Sequence, residues 1–137
     1  MNVMENESST VQIAVCGLHM RGYPLESQLL ERGARFVRED ETAPAYRLFL
    51  LPTVPPKPGL FRAEKGGRSI ALEIWEMPIQ YFGSFVRLIP SPLGIGKVTL
   101  KNGEKICGFI CEPFAAEHAE EITSFGGWKN RFPPMQK

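Results

Sequence analysis

The residues best suited to chemistry lie between positions 11 and 25, where a strand, a glycine turn and a helix start follow one another. The apolar run 11–15 predicts a buried strand, Gly17 breaks it, and a helix can begin near Leu25. Backbone N–H groups at such a turn converge on a concave spot that binds anions. His19, one of two histidines in the chain, lies inside the turn and titrates near neutrality. We therefore expect a proton donor beside a bound anion, unless His19 only caps the helix or bonds a carbonyl.

The same loop supplies candidate contacts to a small anionic substrate. Arg21 can form a bidentate contact with a carboxylate, or it can simply face solvent. Tyr23 can donate its hydroxyl, or it can pack on its proline neighbour. The substrate-binding residues expected from this loop are Gly17, Leu18, Met20, Arg21, Gly22, Tyr23, Pro24 and Leu25.

Three further candidates lie outside the loop. Tyr46 opens a strongly apolar strand, and Lys57 lies in a proline-rich frame that limits its movement, so it either points inward or remains an exposed loop lysine. Glu73 stands in mid-strand among apolar residues, and a buried carboxylate must be paired or protonated. Glu73 therefore orients His19 or binds the substrate's N–H, or it pairs structurally with an arginine such as Arg47.

Composition restricts the classes of protein that fit. The 137 residues suit one domain, and the 13 glycines and 12 prolines favour short strands and turns. A formal net charge of +1 argues against nucleic-acid binding, and no apolar run is long enough to span a membrane. The polar residues 1–10 are expected to form a flexible arm without the features of a secretory signal, and residues 11–137 a single domain.

The three cysteines predict no disulfide framework and no zinc site. Cys16, Cys107 and Cys111 all lie in apolar, strand-like sequence, and their number is odd. This pattern is typical of free thiols in a reducing cytoplasm, and none of the three has metal-pair spacing with a histidine. The cysteines therefore predict no metal site.

The order of elements predicts an α+β fold with a strongly curved, mixed or barrel-like sheet. Asn102–Gly103 marks a β-hairpin, and Pro78 suits the first position of a helix. The proline-rich segment 53–59 is expected to be a stiff surface loop, because proline cannot pair within an inner strand. Strands are predicted at 11–15, 34–39, 46–51, 60–63, 69–77 and within 97–111, helices at 26–32, 79–88 and 114–122, and a tail at 125–128 that packs back on the body.

Several ordered motifs follow one another along the chain, at residues 17–34, 42–48, 55–60, 71–78, 85–96 and 122–128. Together they resemble one family, the C-terminal domain of allophanate hydrolase, across nearly the whole of residues 11–128. The resemblance implies a γ-glutamylcyclotransferase-like fold, a small mixed β-barrel with a few short helices against it.

The resemblance also implies an activity. In allophanate hydrolase an amidase domain releases ammonia, and the C-terminal domain is held to decarboxylate the resulting N-carboxycarbamate, a small dicarboxylate, to CO₂ and ammonia in urea degradation. The loop histidine that is the key residue there matches His19. The implied decarboxylation needs no metal and no cofactor, because a positioned general acid can protonate the nitrogen. No part of this chain resembles the glycine- and serine-rich amidase signature. The implied partners are therefore a small dicarboxylate-like substrate and an amidase domain or subunit, with a homodimer as a further possibility.

One departure separates the chain from true cyclotransferases. Residues 15–22 resemble their tyrosine-glycine-serine loop, with Cys16 at the tyrosine position. Their catalytic glutamate, however, would fall within residues 78–88, and no Asp or Glu occurs in residues 78–101. Two alternatives to decarboxylation stay open: a non-catalytic module that binds the amidase or dimerises it, and a cyclotransferase-like enzyme on another small carboxylate, with Glu73 as a relocated acid.

Overall fold

Two β-sheets with short helices against them form the fold, which a computed structural model describes for residues 9–134. Residues 1–8 of the expected N-terminal arm lie outside the described residues, whereas Thr10 already belongs to the first strand. The strands are β1 (Thr10–Val15), β2 (Arg35–Glu41), β3 (Tyr46–Leu51), β4 (Lys57–Arg62), β5 (Ala71–Pro78), β6 (Leu93–Thr99), β7 (Lys105–Cys111) and β8 (Glu120–Glu121). The α-helices are α1 (Glu26–Leu30), α2 (Phe82–Arg87) and α3 (Trp128–Arg131), with 3₁₀ turns at Ile79–Tyr81, Pro113–Ala116 and Thr123–Phe125.

The larger sheet is mixed and curls towards closure. Its order is β2-β5-β1-β7-β6, and the central strand β1 runs antiparallel to β5 and parallel to β7. The two edge strands β2 and β6 are joined by the residues that follow them. Ala43, after β2, donates its N–H to the carbonyl of Thr99 in β6, and Lys101, after β6, donates its N–H to the carbonyl of Glu41 in β2, each at 2.9 Å. These bonds join the two edges at one end of the sheet. The α+β class with a curved, mixed sheet is therefore confirmed.

The smaller sheet, β4-β3-β8, corrects two predictions. The expected loop 53–59 ends early, because Lys57, Pro58 and Gly59 pair with the end of β3. Proline is tolerated there because β4 is an edge strand. The expected helix over 114–122 is wrong: a 3₁₀ turn gives way to β8, which pairs with β3. Edge pairing and the complete burial of Ile122 override a weak local helix preference.

The remaining elements close the core around the larger sheet. Phe85 on α2 and Leu29 on α1 are fully buried, so both short helices attach through one apolar face. The expected tail packs back as predicted, since Trp128 is buried. The predicted hairpin is confirmed, and Gly103 takes the positive φ of +93° that its turn requires. In the described part of the chain, no helix is long and apolar enough to cross a membrane.

Candidate functional site

The loop that follows β1 is fixed by its own backbone. Met20 N–H donates to the Gly17 carbonyl at 3.0 Å, and Leu25 N–H donates to the Leu18 carbonyl at 2.9 Å, so two tight turns lead into α1. Across residues 9–134, the N–H groups of Leu18 and His19 find no acceptor. These two backbone donors are therefore not used within the described residues.

Gly17 is required at this turn because Pro58 of β4 lies directly against it. A Cβ at position 17 would lie 2.3 Å from Pro58 Cγ and 2.6 Å from Pro58 Cδ. Since a proline ring cannot swing away, we expect Gly17→Ala to separate the loop from β4 and to lower the free energy of unfolding by ~1–3 kcal/mol. Urea unfolding checks this, with Gly94→Ala as the control, because a Cβ at Gly94 meets nothing within 4 Å. Equal midpoints for the two variants would contradict the close packing.

His19 is held in one orientation by three neighbours. Its Nε2 lies 2.7 Å from Oε1 of Gln28 on α1. The ring meets Phe85 edge-on, with centroids 5.3 Å apart, and lies 4.9 Å from the Phe109 ring. The side chain is 8% exposed. The imidazole is thus a largely buried, oriented group rather than a solvated loop residue.

The open side of His19 borders a cavity of about 220 Å³. Its side-chain polar groups are the imidazole of His19, the amide of Gln28, the ammonium of Lys57 and the thiol of Cys16, and most of its wall is apolar. Burial raises the pKa of the Cys16 thiol to about 12, so this thiol is not a nucleophile at neutral pH. The lining residues are Val15, Cys16, Gly17, Leu18, His19, Leu25, Gln28, Pro55, Lys57, Pro58, Leu88, Ile89, Pro90, Leu93 and Phe109.

Burial, a hydrogen bond and the charge of Lys57 all act on the pKa of His19. Desolvation lowers the pKa of His19 below its usual 6.5, and the charge of Lys57 lowers it further, while the hydrogen bond that His19 donates to Gln28 acts in the opposite direction. These influences favour the neutral imidazole at pH 7, and Lys57 is the cation that lines this cavity.

Removing the Lys57 charge should raise the pKa of His19. We expect Lys57→Met to move the imidazole titration to higher pH, because one of the two lowering influences is lost. Proton NMR titration in a His118→Asn background leaves a single histidine signal to follow. A titration midpoint that stays in place, or that moves to lower pH, would contradict the proximity of the two side chains.

Arg21 and Glu73 lie outside the cavity and bind each other. The Glu73 carboxylate, 1% exposed, accepts from Arg21 N–H at 3.0 Å, from Arg21 Nε at 3.1 Å and from Trp75 Nε1 at 3.1 Å. Arg21 also bonds Glu39 at 3.0 Å and lies 3.6 Å over the Phe36 ring. The Arg21 guanidinium is therefore committed within the protein, and this ion pair replaces the substrate contacts expected of both residues.

The expected pairing of Glu73 with Arg47 is also replaced. Arg47 forms two hydrogen bonds with Glu121 of β8, at 2.8 and 2.6 Å. Hydrogen bonds from Arg47 and from Thr123 hold the pKa of the Glu121 carboxyl at about 2. Arg47 thus fastens β8 to β3, and Glu73 has Arg21 and Lys129 as its cations.

Five further loop and strand candidates also miss the cavity. The Tyr46 hydroxyl accepts the Thr99 N–H at 2.9 Å inside the core, and Met20 is buried there as well. Gly22, Tyr23 and Pro24 border a separate groove with Trp128, and the Tyr23 hydroxyl donates to the Phe132 carbonyl at 2.5 Å. Of the residues predicted from sequence, the structure brings Gly17, Leu18, His19, Leu25 and Lys57 together.

Gln28 is the functional candidate that sequence reasoning missed. A signal was present, because residues three apart lie on the same face of a helix and Gln28 follows Leu25 by three. The 88–90 segment and Phe109 had no comparable signal. They reach the cavity because α2 and β7 are folded against the loop, which only long-range packing determines.

Comparison with known proteins identifies the family. The protein-family model described as the allophanate hydrolase C-terminal domain matches residues 11–132 of this sequence. The chain belongs to this family. The resemblance carried by the ordered motifs is thereby confirmed for the allophanate hydrolase C-terminal domain, and the match covers the cavity and all the elements that build it.

Relatives of this allophanate hydrolase C-terminal domain are mostly far longer proteins. The urea amidolyase of Saccharomyces cerevisiae is 40% identical over 135 residues, which are 95% of this chain and 7% of that protein. The allophanate hydrolase of Kluyveromyces lactis superimposes with a TM-score of 0.87 at 41% identity, over 93% of this chain and 22% of its own. A uropathogenic Escherichia coli-specific protein, c4763, gives a TM-score of 0.86 at 34% identity, over 93% of this chain and 99% of its own.

A more distant likeness concerns the fold alone. A γ-glutamyl cyclotransferase structure superimposes with a TM-score of 0.55 at 12% identity, over 82% of this chain and 70% of its own. The expected γ-glutamylcyclotransferase-like architecture of the allophanate hydrolase C-terminal domain is thus confirmed. Within residues 9–134, no three His, Cys, Asp or Glu side chains converge as metal ligands would.

Proposed function

We propose that this domain decarboxylates N-carboxycarbamate, the product of an allophanate amidase, with His19 as the general acid. The observation that carries the proposal is the oriented His19 imidazole on the wall of a mostly apolar cavity that also contains Lys57. The amidase belongs to a separate domain or subunit. The longer allophanate hydrolase and urea amidolyase relatives support this arrangement, because this chain spans only a small part of each.

The cavity offers a binding mode for two carboxylates. One carboxylate is attracted by the Lys57 ammonium, and the other accepts from the Leu18 and His19 N–H groups, which have no acceptor within the described residues. Apolar side chains around them exclude water, which strengthens both interactions. Two anionic groups beside one neutral imidazole raise its pKa, so substrate binding itself favours the imidazolium.

The reaction then needs one proton transfer. As the C–N bond of the substrate breaks, its electron pair returns to nitrogen, and the His19 imidazolium delivers a proton to that nitrogen. The products are CO₂ and carbamate, and His19 recovers its proton from water. Carbamate takes up one further proton and falls apart to ammonia and CO₂. A positioned acid of this kind contributes ~10²–10⁴-fold, equivalent to about 3–5 kcal/mol of barrier.

The decisive experiment supplies the substrate through an amidase that lacks its own C-terminal domain. Carboxyl-¹³C allophanate is turned over by that amidase, and ¹³C NMR follows N-carboxycarbamate with and without this chain. We expect the intermediate to accumulate without the domain and to disappear faster with it. An unchanged decay, together with altered amidase assembly or activity, would favour the non-catalytic module instead.

A cyclotransferase-like activity is the remaining alternative, and it has a separate signature. Glu73, the one acid suggested for it, is bound by Arg21, Trp75 and Lys129 and does not border the cavity. Formation of 5-oxoproline from γ-glutamyl amines would support that reading despite this geometry.

A further inference from the structure

We propose that Gln28 is a positioning residue that keeps a proton on His19 Nε2 and leaves Nδ1 as the nitrogen that transfers a proton in the cavity. The catalytic part of this inference rests on the proposed decarboxylation. The tautomer that it specifies is a property of the free protein and can be measured without any substrate.

The hydrogen bond to Gln28 determines the first nitrogen. Nε2 lies 2.7 Å from Oε1, a short contact between two partly buried groups. A carbonyl oxygen only accepts, so Nε2 carries a hydrogen in both the neutral and the charged imidazole. In the neutral ring Nδ1 therefore holds the lone pair, and Nδ1 is the atom that gains and loses the proton.

The surroundings of Nδ1 are consistent with that role. In the described part of the chain, Nδ1 has no hydrogen-bond partner, and the single buried, unpartnered side-chain nitrogen or oxygen there is Nε1 of Trp128. Nδ1 is therefore not sealed from solvent, and the ring borders the cavity. Phe85 and Phe109 pack against the ring on its other sides.

Gln28 is itself held firmly enough to set a tautomer. The backbone N–H of Gln28 donates to the Leu25 carbonyl at 3.0 Å, and the backbone carbonyl of Gln28 accepts from Arg32 Nη1 at 3.0 Å. Arg32 Nε also donates to Ser84 Oγ at 3.0 Å, which links the segment after α1 to α2. The next residue, Leu29, is fully buried and anchors the helix in the core.

A neutral acceptor suits a histidine that must be recharged in every cycle. A carboxylate in place of Gln28 would hold the imidazolium too strongly and would repel a dianionic substrate. An apolar side chain would leave the ring free to carry its proton on either nitrogen. The amide oxygen fixes the orientation without adding charge.

Histidine ¹⁵N NMR on the full chain tests this directly. Above the His19 pKa, the wild type is expected to show one neutral tautomer, protonated at Nε2. Gln28→Met should give a mixture of tautomers, and Gln28→Glu should restore the single tautomer and raise the pKa. Gln80→Met, at an exposed glutamine outside the cavity, is the matched control.

Two results would overturn the assignment: a wild-type ring protonated at Nδ1, or an unchanged tautomer in Gln28→Met. If Gln28→Met does not fold, the wild-type spectrum alone still decides. In the decarboxylation assay we expect Gln28→Met to lose ~10–100-fold in kcat. The fall of kcat at high pH should begin at a lower pH than in the wild type, because the hydrogen bond that raises the His19 pKa is lost. A wild-type chain without decarboxylase activity would refute the proposed function while the tautomer stands or falls separately.

Discussion

Replacing His19 with glutamine will lower the rate of N-carboxycarbamate decay by ~10²–10⁴-fold relative to wild-type domain. Glutamine fills much of the space of the imidazole and can still hydrogen-bond Gln28, but it has no proton to give at neutral pH. The loss should appear mainly in kcat, because Lys57 and the loop N–H groups, to which we assign substrate binding, remain in place. The ¹³C assay with excess amidase measures it.

His118→Asn is the matched control for this variant. It removes the other histidine of the chain, which lies outside the cavity, and its decarboxylation rate should equal the wild-type rate. Near-ultraviolet circular dichroism verifies that both variants fold. Wild-type rates in a folded His19→Gln domain would show that the imidazole does not act as the acid.

Replacing Glu73 with leucine will give the largest loss of stability among single changes near the loop, about 2–4 kcal/mol. Two donors, Trp75 Nε1 and Arg21 N–H, lose their acceptor at ~1–3 kcal/mol each. The cations Arg21 and Lys129 are 40% and 39% exposed, so their side chains can turn to solvent and soften the loss. The denaturant midpoint at pH 7 measures the change.

Glu41→Gln provides the comparison, because its pair with Lys101 is exposed on both sides and should be worth ~0–1 kcal/mol. Glu73→Gln keeps a carbonyl for the two donors and should lie between these variants. The folded Glu73→Gln domain should retain the wild-type decarboxylation rate, because Glu73 does not border the cavity. A selective loss of kcat there would instead show that Glu73 orients His19.

Local sequence patterns predicted the elements that local chemistry determines. The strand–glycine–helix start predicted at 11–25, the Asn102–Gly103 hairpin and the β3 strand all lie where their patterns indicated. The helix predicted over 114–122 failed because β8 gains its order from pairing with β3. The start of β4 at Lys57–Gly59 was predicted as a loop because it contains Pro58. Proline is tolerated there because β4 is an edge strand, and only the assembled sheet defines which strand lies at the edge.

The candidate site was predictable at its centre and not at its rim. His19 and Lys57 could be chosen because their chemistry suits an anion and their segments are rigid. Arg21 and Glu73 suit the same chemistry, but the fold pairs them with each other outside the cavity. Residue type therefore nominates candidates, and long-range packing decides which of them share a cavity.

The pH dependence of decarboxylation, compared with the titration of His19 itself, tests the central claim most directly. NMR titration of the domain with bound malonate gives the pKa of His19 beside two carboxylates, and the ¹³C assay gives kcat over the same pH range. If His19 is the acid, kcat falls as pH rises through that pKa. Lys57→Met then moves the falling part of the kcat profile and the NMR titration midpoint of His19 together to higher pH. A kcat that stays constant while His19 loses its proton would contradict the account.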